Sequence, residues 1–306
     1  MRPRVLALVG LTGTGKSEIA CEIARRVTGE ILSADSMQVY RGMDIGTAKP
    51  SRTLRREIPH HGIDLVDPDE AMSAGAWATH ARAAAHSAHA RGHPVILCGG
   101  TGLYARAFAG GLVPGVEADP RVRSELAGRT LEDLRSELEK IDPLAAQRIH
   151  PHDRVRTERA IEVTRRVGRA VSRQRAEHAF GDSPFEVRWC GLALPRERLW
   201  PRLRARVDEM FGRGWVDEVR ALAGAGYGPE LPALRSIGYR EIHELLAGRR
   251  SEAETREAIW VATRRYAKRQ RTWFRAQPGL RWIDAEDPGP LVEWASRWLS
   301  GEEGRG

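Results

Sequence analysis

The sequence has few cysteines and no long apolar segment. Its three cysteines, Cys21, Cys98 and Cys190, are widely spaced and form no Cys-x-x-Cys pair, which argues against a disulfide framework and a structural zinc site. No apolar run approaches the roughly 18 residues of a membrane helix. The apolar stretch at residues 5–9 is too short for a signal peptide and is followed by a glycine-rich motif. We therefore expect a cytoplasmic protein without a membrane segment.

Lysine is also scarce, although the chain is strongly basic. Lysine and arginine together number 49 against 41 acidic residues, a net charge of +8, and only four of the 49 are lysines. Arginine suits bidentate phosphate contacts, so the balance favours a polyanionic partner. Alanine and glycine are abundant too, and a GC-rich genome would produce the same bias. Charge alone therefore leaves nucleic-acid binding open.

Short apolar segments alternate with amphipathic ones, which indicates a parallel sheet covered by helices on both faces. The first predicted helix has apolar residues at helical spacing from Ile19 to Val27, with Gly29 as its expected C-cap. Strands are predicted at residues 5–9, 30–34, 94–98, 187–194 and 281–284, and helices at 16–27 and 73–91. We predict an α/β fold with a sheet of the P-loop NTPase type.

Helical segments alone occupy the middle of the chain. They are predicted at residues 120–126, 131–141, 143–149 and 154–167. The simplest architecture is a core of residues 1–115 and 187–306, interrupted by an all-helical insertion at 116–186.

A further helix is predicted at residues 251–275, with an apolar and a basic face. The basic face carries Arg264, Lys268, Arg271 and Arg275 at helical spacing. Such a stripe is either an ordinary solvated face or a surface that follows a phosphate backbone.

Residues 10–17 fit the phosphate-binding pattern G-x-x-x-x-G-K-[ST], between a predicted strand and a predicted helix. Glycines allow a tight loop whose backbone N–H groups turn inward, and the helix adds its positive end. Lys16 is expected to reach phosphate oxygens and the Ser17 hydroxyl to ligate Mg²⁺. Loops of this type are nucleotide-binding, and many are ATP-binding. The predicted phosphate-binding residues are Gly10, Leu11, Thr12, Gly13, Thr14, Gly15, Lys16 and Ser17.

An acidic residue is missing where most P-loop NTPases have one. The predicted strand at residues 94–98 is followed by Gly99-Gly100-Thr101, whereas Asp35 follows the strand at residues 30–34. Because the carboxyl ends of parallel strands converge, Asp35 and Thr101 should lie near the phosphate loop. Asp35 is then either a magnesium ligand or a base.

Several blocks resemble the tRNA dimethylallyltransferase (isopentenyltransferase) family. The most specific spans residues 35–50, and others lie at 99–104, 148–151, 159–163, 236–240 and 268–275, in family order over nearly the whole chain. The chain departs from the family pattern with Leu11 for proline, Gly13 for alanine, His152 for asparagine and Val155 for glutamine. The last two put individual tRNA contacts in doubt.

The resemblance implies transfer of a dimethylallyl group from dimethylallyl diphosphate to N6 of the adenosine 3′-adjacent to the anticodon (tRNA position 37), with release of diphosphate. The phosphate loop would hold the leaving diphosphate with Mg²⁺. By resemblance Asp35 is the catalytic base, Thr101 orients either the adenine base or the Asp35 carboxylate, and Lys16 stabilises the leaving group, with Arg220 as a further diphosphate contact. The enzyme is expected to act as a monomer.

The resemblance also implies an anticodon stem–loop as partner, with the target base splayed out of the loop. Contacts to tRNA are then expected from Asp35, Ser36, Met37, Gln38, Thr101, Arg123, Arg156, Arg159, Arg235, Gly238, Tyr239 and Arg240.

Two alternatives remain from the residues alone. A kinase for a small acceptor would use the same P-loop core with a helical lid, but would not need the basic helix at residues 251–275. A non-enzymatic RNA-binding module would explain the charge, but not Lys16 and Ser17 beside Asp35.

Overall fold

A computed structural model describes residues 2–111, 119–173 and 183–302 of the chain. Six strands form one sheet in the order β3-β2-β4-β1-β5-β6, and every neighbouring pair is parallel. The predicted α/β class is confirmed. All carboxyl ends therefore face one edge of the sheet, where ligands bind in open α/β folds. The strands are β1 Arg4–Gly10, β2 Glu30–Ser33, β3 His60–His61, β4 Val95–Gly99, β5 Glu186–Ala193 and β6 Leu280–Asp284.

Helices connect and cover the strands. Ser73 caps one of them as expected, accepting the N–H of Ala76 at 3.0 Å. At the end of the first helix, Thr28 takes the left-handed conformation (φ 50°) in place of the expected Gly29. The α-helices with described bounds are α1 Lys16–Val27, α2 Arg52–Glu57, α3 Ala74–Ala90, α4 Gly102–Gly110, α5 Pro120–Ala127, α6 Leu131–Ile141, α7 Pro143–Arg148, α8 Arg154–Val167, α9 Arg196–Gly212, α10 Trp215–Gly224, α11 Tyr239–Leu246, α12 Glu252–Arg275 and α13 Gly289–Ser300.

The chain divides into two compact units, residues 1–109 with 183–306 and residues 110–182. In the first, strand β1 is buried along nearly its whole length, and α1 and α13 contribute Ile23 and Trp298 to the same apolar cluster. Burial on both faces explains why β1 reads as a continuous apolar run.

The second unit consists of helices in its described part. Helices α5 to α8 each begin behind a side chain that accepts a free backbone N–H, namely Asp119, Thr130, Asp142 and Asp153. Leu134, Leu138 and Ile161 lie at the centre of its own apolar core. The predicted start of the insertion at residue 116 lies outside the described residues.

Helix α12 begins at a capping box in which Ser251 and Glu254 exchange hydrogen bonds. Its predicted basic stripe is only partly free. Lys268 and Arg275 are exposed, but the Arg264 guanidinium lies over the rings of Trp200 and Trp260, at 5.1 and 4.4 Å from their centroids. Arg264 thus packs on aromatic rings instead of facing solvent, a contact that helical periodicity does not reveal. No helix in the described part of the chain is long and apolar enough to cross a membrane.

Candidate active site

The loop at residues 10–17, here called the anion cradle, joins β1 to α1. Gly10, Gly13 and Gly15 have φ values of 126°, 79° and 82°, which side chains with a Cβ rarely adopt. A Cβ on Gly10 would also lie 2.9 Å from the Leu192 carbonyl oxygen of β5. Glycine at these positions therefore keeps the cradle tight against the strand ends.

Polar contacts fix the shape of the anion cradle. The Thr14 hydroxyl donates to the Leu11 carbonyl at 2.8 Å, and the Lys16 ammonium donates to the same oxygen. The Thr12 N–H donates to Oε1 of Gln270 on α12 at 2.9 Å. The Thr12 N–H is therefore already hydrogen-bonded to a side chain that lines the same cavity.

A cavity of about 740 Å³ opens beside the anion cradle, within the first unit. Its walls come from the cradle, from the ends of β2 and β4, from α9 and from α12. Lining residues with polar or charged groups include Thr12, Lys16, Ser17, Asp35, Gln38, Arg202, Arg206, Arg213, Tyr266 and Gln270. The sheet thus gathers Lys16, Ser17, Asp35 and Gln38 around one space.

Thr101 is hydrogen-bonded to the two residues that flank Asp35. The Thr101 N–H donates to the Ala34 carbonyl at 3.0 Å, and the Thr101 hydroxyl accepts the Ser36 N–H at 3.0 Å. That hydroxyl also donates to the Ser36 hydroxyl at 3.2 Å. The Asp35 carboxylate accepts the Met37 N–H at 2.8 Å. Thr101 therefore holds the turn that carries Asp35.

Glycine allows this close approach of two strand ends. A Cβ on Gly99 would lie 2.2 Å from the Ala34 carbonyl oxygen. The Ala34 N–H donates to the Cys98 carbonyl at 2.8 Å. The Gly99-Gly100-Thr101 segment, which lacks the acid of most P-loop NTPases, thus serves here to pack against the Asp35 turn.

Gln38 is anchored on both sides of its amide. Its Nε2 donates to the carbonyls of Thr47 and Ala48 at 3.1 and 3.3 Å, and Ser33 donates its hydroxyl proton to Oε1 at 2.7 Å. Buried Lys49 holds the same segment by donating to Asp44 and Asp64 at 2.8 and 2.6 Å. From the segment at residues 35–50, Asp35, Gln38 and residues 47–50 line the cavity, and these hydrogen bonds hold them together.

Burial shifts the acid–base properties of the two central charged residues. It lowers the pKa of Lys16 to about 8, with Arg206 acting in the same direction and Cys98, Asp35 and Glu18 opposing it. Burial also raises the pKa of the Asp35 carboxyl, although N–H donors and the charges of Arg206 and Lys16 oppose the shift. A carboxylate with increased proton affinity beside an ammonium is suited to proton transfer next to a bound anion.

Arg206 of α9 is a cavity residue that the sequence reasoning missed. It lines the cavity with Arg202 and Arg213, and its charge acts on both Asp35 and Lys16. By contrast, the predicted diphosphate contact Arg220 is exposed, pairs with Asp217 and is absent from the cavity lining. The available signal was Arg202, Arg206 and Arg213 at i, i+4 and i+11, one face of a helix with an apolar opposite face.

The predicted tRNA contacts near residue 238 divide into buried and exposed groups. Tyr239 is buried, and its hydroxyl donates to Glu218 at 2.6 Å. Gly238 has φ 92°, and a Cβ there would lie 2.0 Å from the Trp215 ring. Arg235 and Arg240 are exposed. The side chain of Tyr239 is therefore occupied within the fold, whereas the two arginines lie at the surface, Arg240 paired with Glu241.

The predicted tRNA contacts of the helical unit lie on α5 and α8. Glu162, which is 2% exposed, accepts from Arg159 at 2.6 Å and from Arg123 at 3.2 Å. Arg156 is exposed and lies 3.4 Å from Asp153. One buried carboxylate thus sets the positions of two of these three arginines.

Ser17 meets the requirements for sharing a magnesium ion with a bound diphosphate. Ser17 lines the cavity, and its hydroxyl makes no hydrogen bond to the residues that the structure describes. In that part of the chain no cluster of three or more His, Cys, Asp or Glu side chains could hold a metal. Mg²⁺ commonly binds through one or two protein oxygens, substrate phosphates and water, so a single hydroxyl fits such a site.

Comparison with known proteins finds two matching family models and similar sequences. A sequence model of the IPP transferase family matches residues 38–277, and one described as isopentenyl transferase matches residues 3–58. The chain is 47% identical over 287 residues to a tRNA dimethylallyltransferase of Geobacter metallireducens, covering 92% of this chain and 93% of the relative. A tRNA dimethylallyltransferase of Geobacter sulfurreducens is 45% identical over 291 residues, covering 92% of each chain.

Solved structures are similar as well. The full-length tRNA isopentenylpyrophosphate transferase of Bacillus halodurans superimposes with a TM-score of 0.72 and 35% identity, covering 98% of this chain and 97% of the other. A eukaryotic dimethylallyltransferase acting on tRNA gives a TM-score of 0.81 at 27% identity, covering 98% of this chain and 77% of the other.

Proposed function

The chain belongs to the IPP transferase family and transfers a dimethylallyl group to tRNA, and from that premise we propose how its own residues carry out the reaction. The donor is dimethylallyl diphosphate, and the acceptor is N6 of the adenosine 3′-adjacent to the anticodon. The observation that carries the proposal is the single cavity in which Asp35, Lys16 and the anion cradle meet.

The anion cradle and Lys16 stabilise the departing diphosphate. Breaking the allylic C–O bond places negative charge on the leaving group, and preorganised cations and N–H donors lower the barrier to that step. Arg206 lines the same cavity and adds a second cation in the place that sequence reasoning gave to Arg220. When bound, Mg²⁺ held by Ser17 would supply further stabilisation of diphosphate charge.

Asp35 accepts the proton of the attacking amine. The lone pair of adenine N6 is delocalised into the ring, so the amine needs a hydrogen-bond acceptor that can take its proton as the C–N bond forms. Burial raises the pKa of Asp35, which increases its strength as a base. Thr101 fixes the Asp35 turn through Ser36 at 3.0 Å, and Met37 holds the carboxylate at 2.8 Å.

The adenosine must leave the anticodon loop to enter the cavity. Ser36, Met37 and Gln38 follow Asp35 and border its path. Arg235 and Arg240, and the helical unit's Arg123, Arg156 and Arg159, are the proposed contacts to the stem–loop backbone. A net charge of +8 supports a polyanionic partner.

A direct assay incubates the protein with labelled dimethylallyl diphosphate, Mg²⁺ and unmodified tRNA. We expect label in N6-dimethylallyladenosine after nuclease digestion, and none when guanosine replaces the adenosine 3′ to the anticodon. Transfer of label to tRNA in the absence of ATP separates this activity from the small-acceptor kinase, which requires ATP. Absence of label, alongside an active control enzyme, contradicts the proposal.

A further inference from the structure

Gln270 connects two parts of the active site that come from distant segments of the chain. It lies on α12 and is 4% exposed. Its Oε1 accepts the Thr12 N–H of the anion cradle at 2.9 Å, and its Nε2 donates to the Gly100 carbonyl at 3.1 Å. One side-chain amide therefore joins the diphosphate side of the cavity to the segment that follows β4.

The Gly100 end of this link continues to the proposed base. Gly100 is followed by Thr101, whose hydroxyl accepts the N–H of Ser36 at 3.0 Å, and Ser36 is the neighbour of Asp35. Three hydrogen bonds therefore connect the anion cradle to the Asp35 turn: Thr12 to Gln270, Gln270 to Gly100, and Ser36 to Thr101. None of them is made by a solvent-exposed side chain.

Other residues of α12 pack on the same segment. A Cβ on Gly100 would lie 2.1 Å from Nε2 of Gln270, and one on Gly102 would lie 2.0 Å from Nε1 of Trp273. Tyr266, one turn before Gln270, lines the same cavity. The helix therefore fits closely against residues 100–102, and the glycines there leave room for its side chains.

We propose that Gln270 is a positioning residue that fixes the distance between the anion cradle and the Asp35 turn, so that leaving group and base act on one substrate pair. The inference rests on the proposed function. The chemistry requires a neutral amide, because a carboxylate cannot donate to Gly100 and an ammonium cannot accept from Thr12. Misplacement of reacting groups slows the chemical step more than it weakens binding.

The test compares single-turnover rates and dissociation constants in Gln270→Met, Gln270→Glu and a matched control, Gln277→Met. Gln277 follows the same helix, donates to the Pro278 carbonyl at 3.3 Å and accepts from Arg106 at 3.4 Å, and it does not line the cavity. For Gln270→Met we expect a transfer rate about 10- to 100-fold lower, the loss expected for two neutral hydrogen bonds. Its dissociation constants for tRNA and dimethylallyl diphosphate should change less than about threefold, which is the effect of losing one weak hydrogen bond.

Gln270→Glu separates the two ends of the link. It keeps the acceptor for Thr12 but places a negative charge near the diphosphate, so its transfer rate should fall and its affinity for dimethylallyl diphosphate should also weaken. It also keeps a polar side chain should the methionine variant fail to fold. Wild-type rates in Gln270→Met or Gln270→Glu overturn the proposal, as do equal losses of binding and rate in Gln270→Met. If the wild type and Gln277→Met transfer no prenyl group, the proposed function itself has failed.

Discussion

Lys16 gives diphosphate binding a pH dependence whose sign follows from its burial. Its pKa is lowered to about 8, and a bound diphosphate favours the charged ammonium. Binding is therefore strongest below pH 8 and weakens as pH rises above it. The protonated fraction falls about tenfold between pH 7 and pH 9, so the affinity should fall about tenfold, or about 1.4 kcal/mol.

Calorimetric titration with dimethylallyl diphosphate in the absence of tRNA measures this effect from pH 6.5 to 9.5. The terminal phosphate has lost its last proton near pH 6, and burial raises the pKa of neighbouring Cys98 to about 12, so neither group titrates between pH 7 and 9.5. Lys16→Arg is the matched control, because a guanidinium stays charged throughout and should give a flat profile. A flat wild-type profile, or the same decline in Lys16→Arg, refutes the reasoning.

Three further predictions concern residues around the site and the sheet. Arg206→Gln should raise the KM for dimethylallyl diphosphate about 10- to 100-fold, as loss of a charge-assisted contact predicts, whereas Arg220→Gln should change it less than about twofold; steady-state kinetics that reverse this order contradict the assignment. Glu218→Gln should lower the free energy of unfolding by about 2–4 kcal/mol in urea titrations, because Glu218 accepts three backbone N–H groups and the Tyr239 hydroxyl; an unchanged midpoint contradicts this. Arginine and histidine partners lower the pKa of buried Glu30 to about 2 from 4.5. The ionised carboxylate therefore stabilises the fold by about 3 kcal/mol above pH 4.5, and this stabilisation is lost as pH falls toward 2. A stability difference between wild type and Glu30→Gln that does not shrink on acidification contradicts this.

Sequence reasoning predicted the elements whose pattern is local. Helix α1 has the predicted bounds, because its apolar spacing and the preceding glycine loop mark both its face and its start. Helices α6 and α8 also have their predicted bounds, since capping residues precede an amphipathic run. By contrast, β3 is only two residues long and α2 buries no side chain, so neither carries a periodic signal.

The meeting of Asp35 with Thr101 was predictable because parallel strands end at one edge of the sheet, and the structure brings the two turns together through Ser36 at 3.0 Å. Arg206 and Gln270 were not predictable in the same way. The contact between Gln270 and Thr12 joins residues 258 positions apart, and no local pattern encodes it. Arginine is so frequent in this chain that residue type alone could not distinguish Arg206 from Arg220.

The central claim is that the Asp35 carboxylate takes the proton of the attacking amine. Asp35→Asn keeps the size of the side chain but removes a base, and loss of general-base catalysis corresponds to a rate about 100- to 10,000-fold lower. Single-turnover transfer, measured together with dissociation constants for tRNA and dimethylallyl diphosphate, should show this loss with both affinities nearly unchanged. Transfer at the wild-type rate by Asp35→Asn, or an equal loss of binding and rate, would contradict the account.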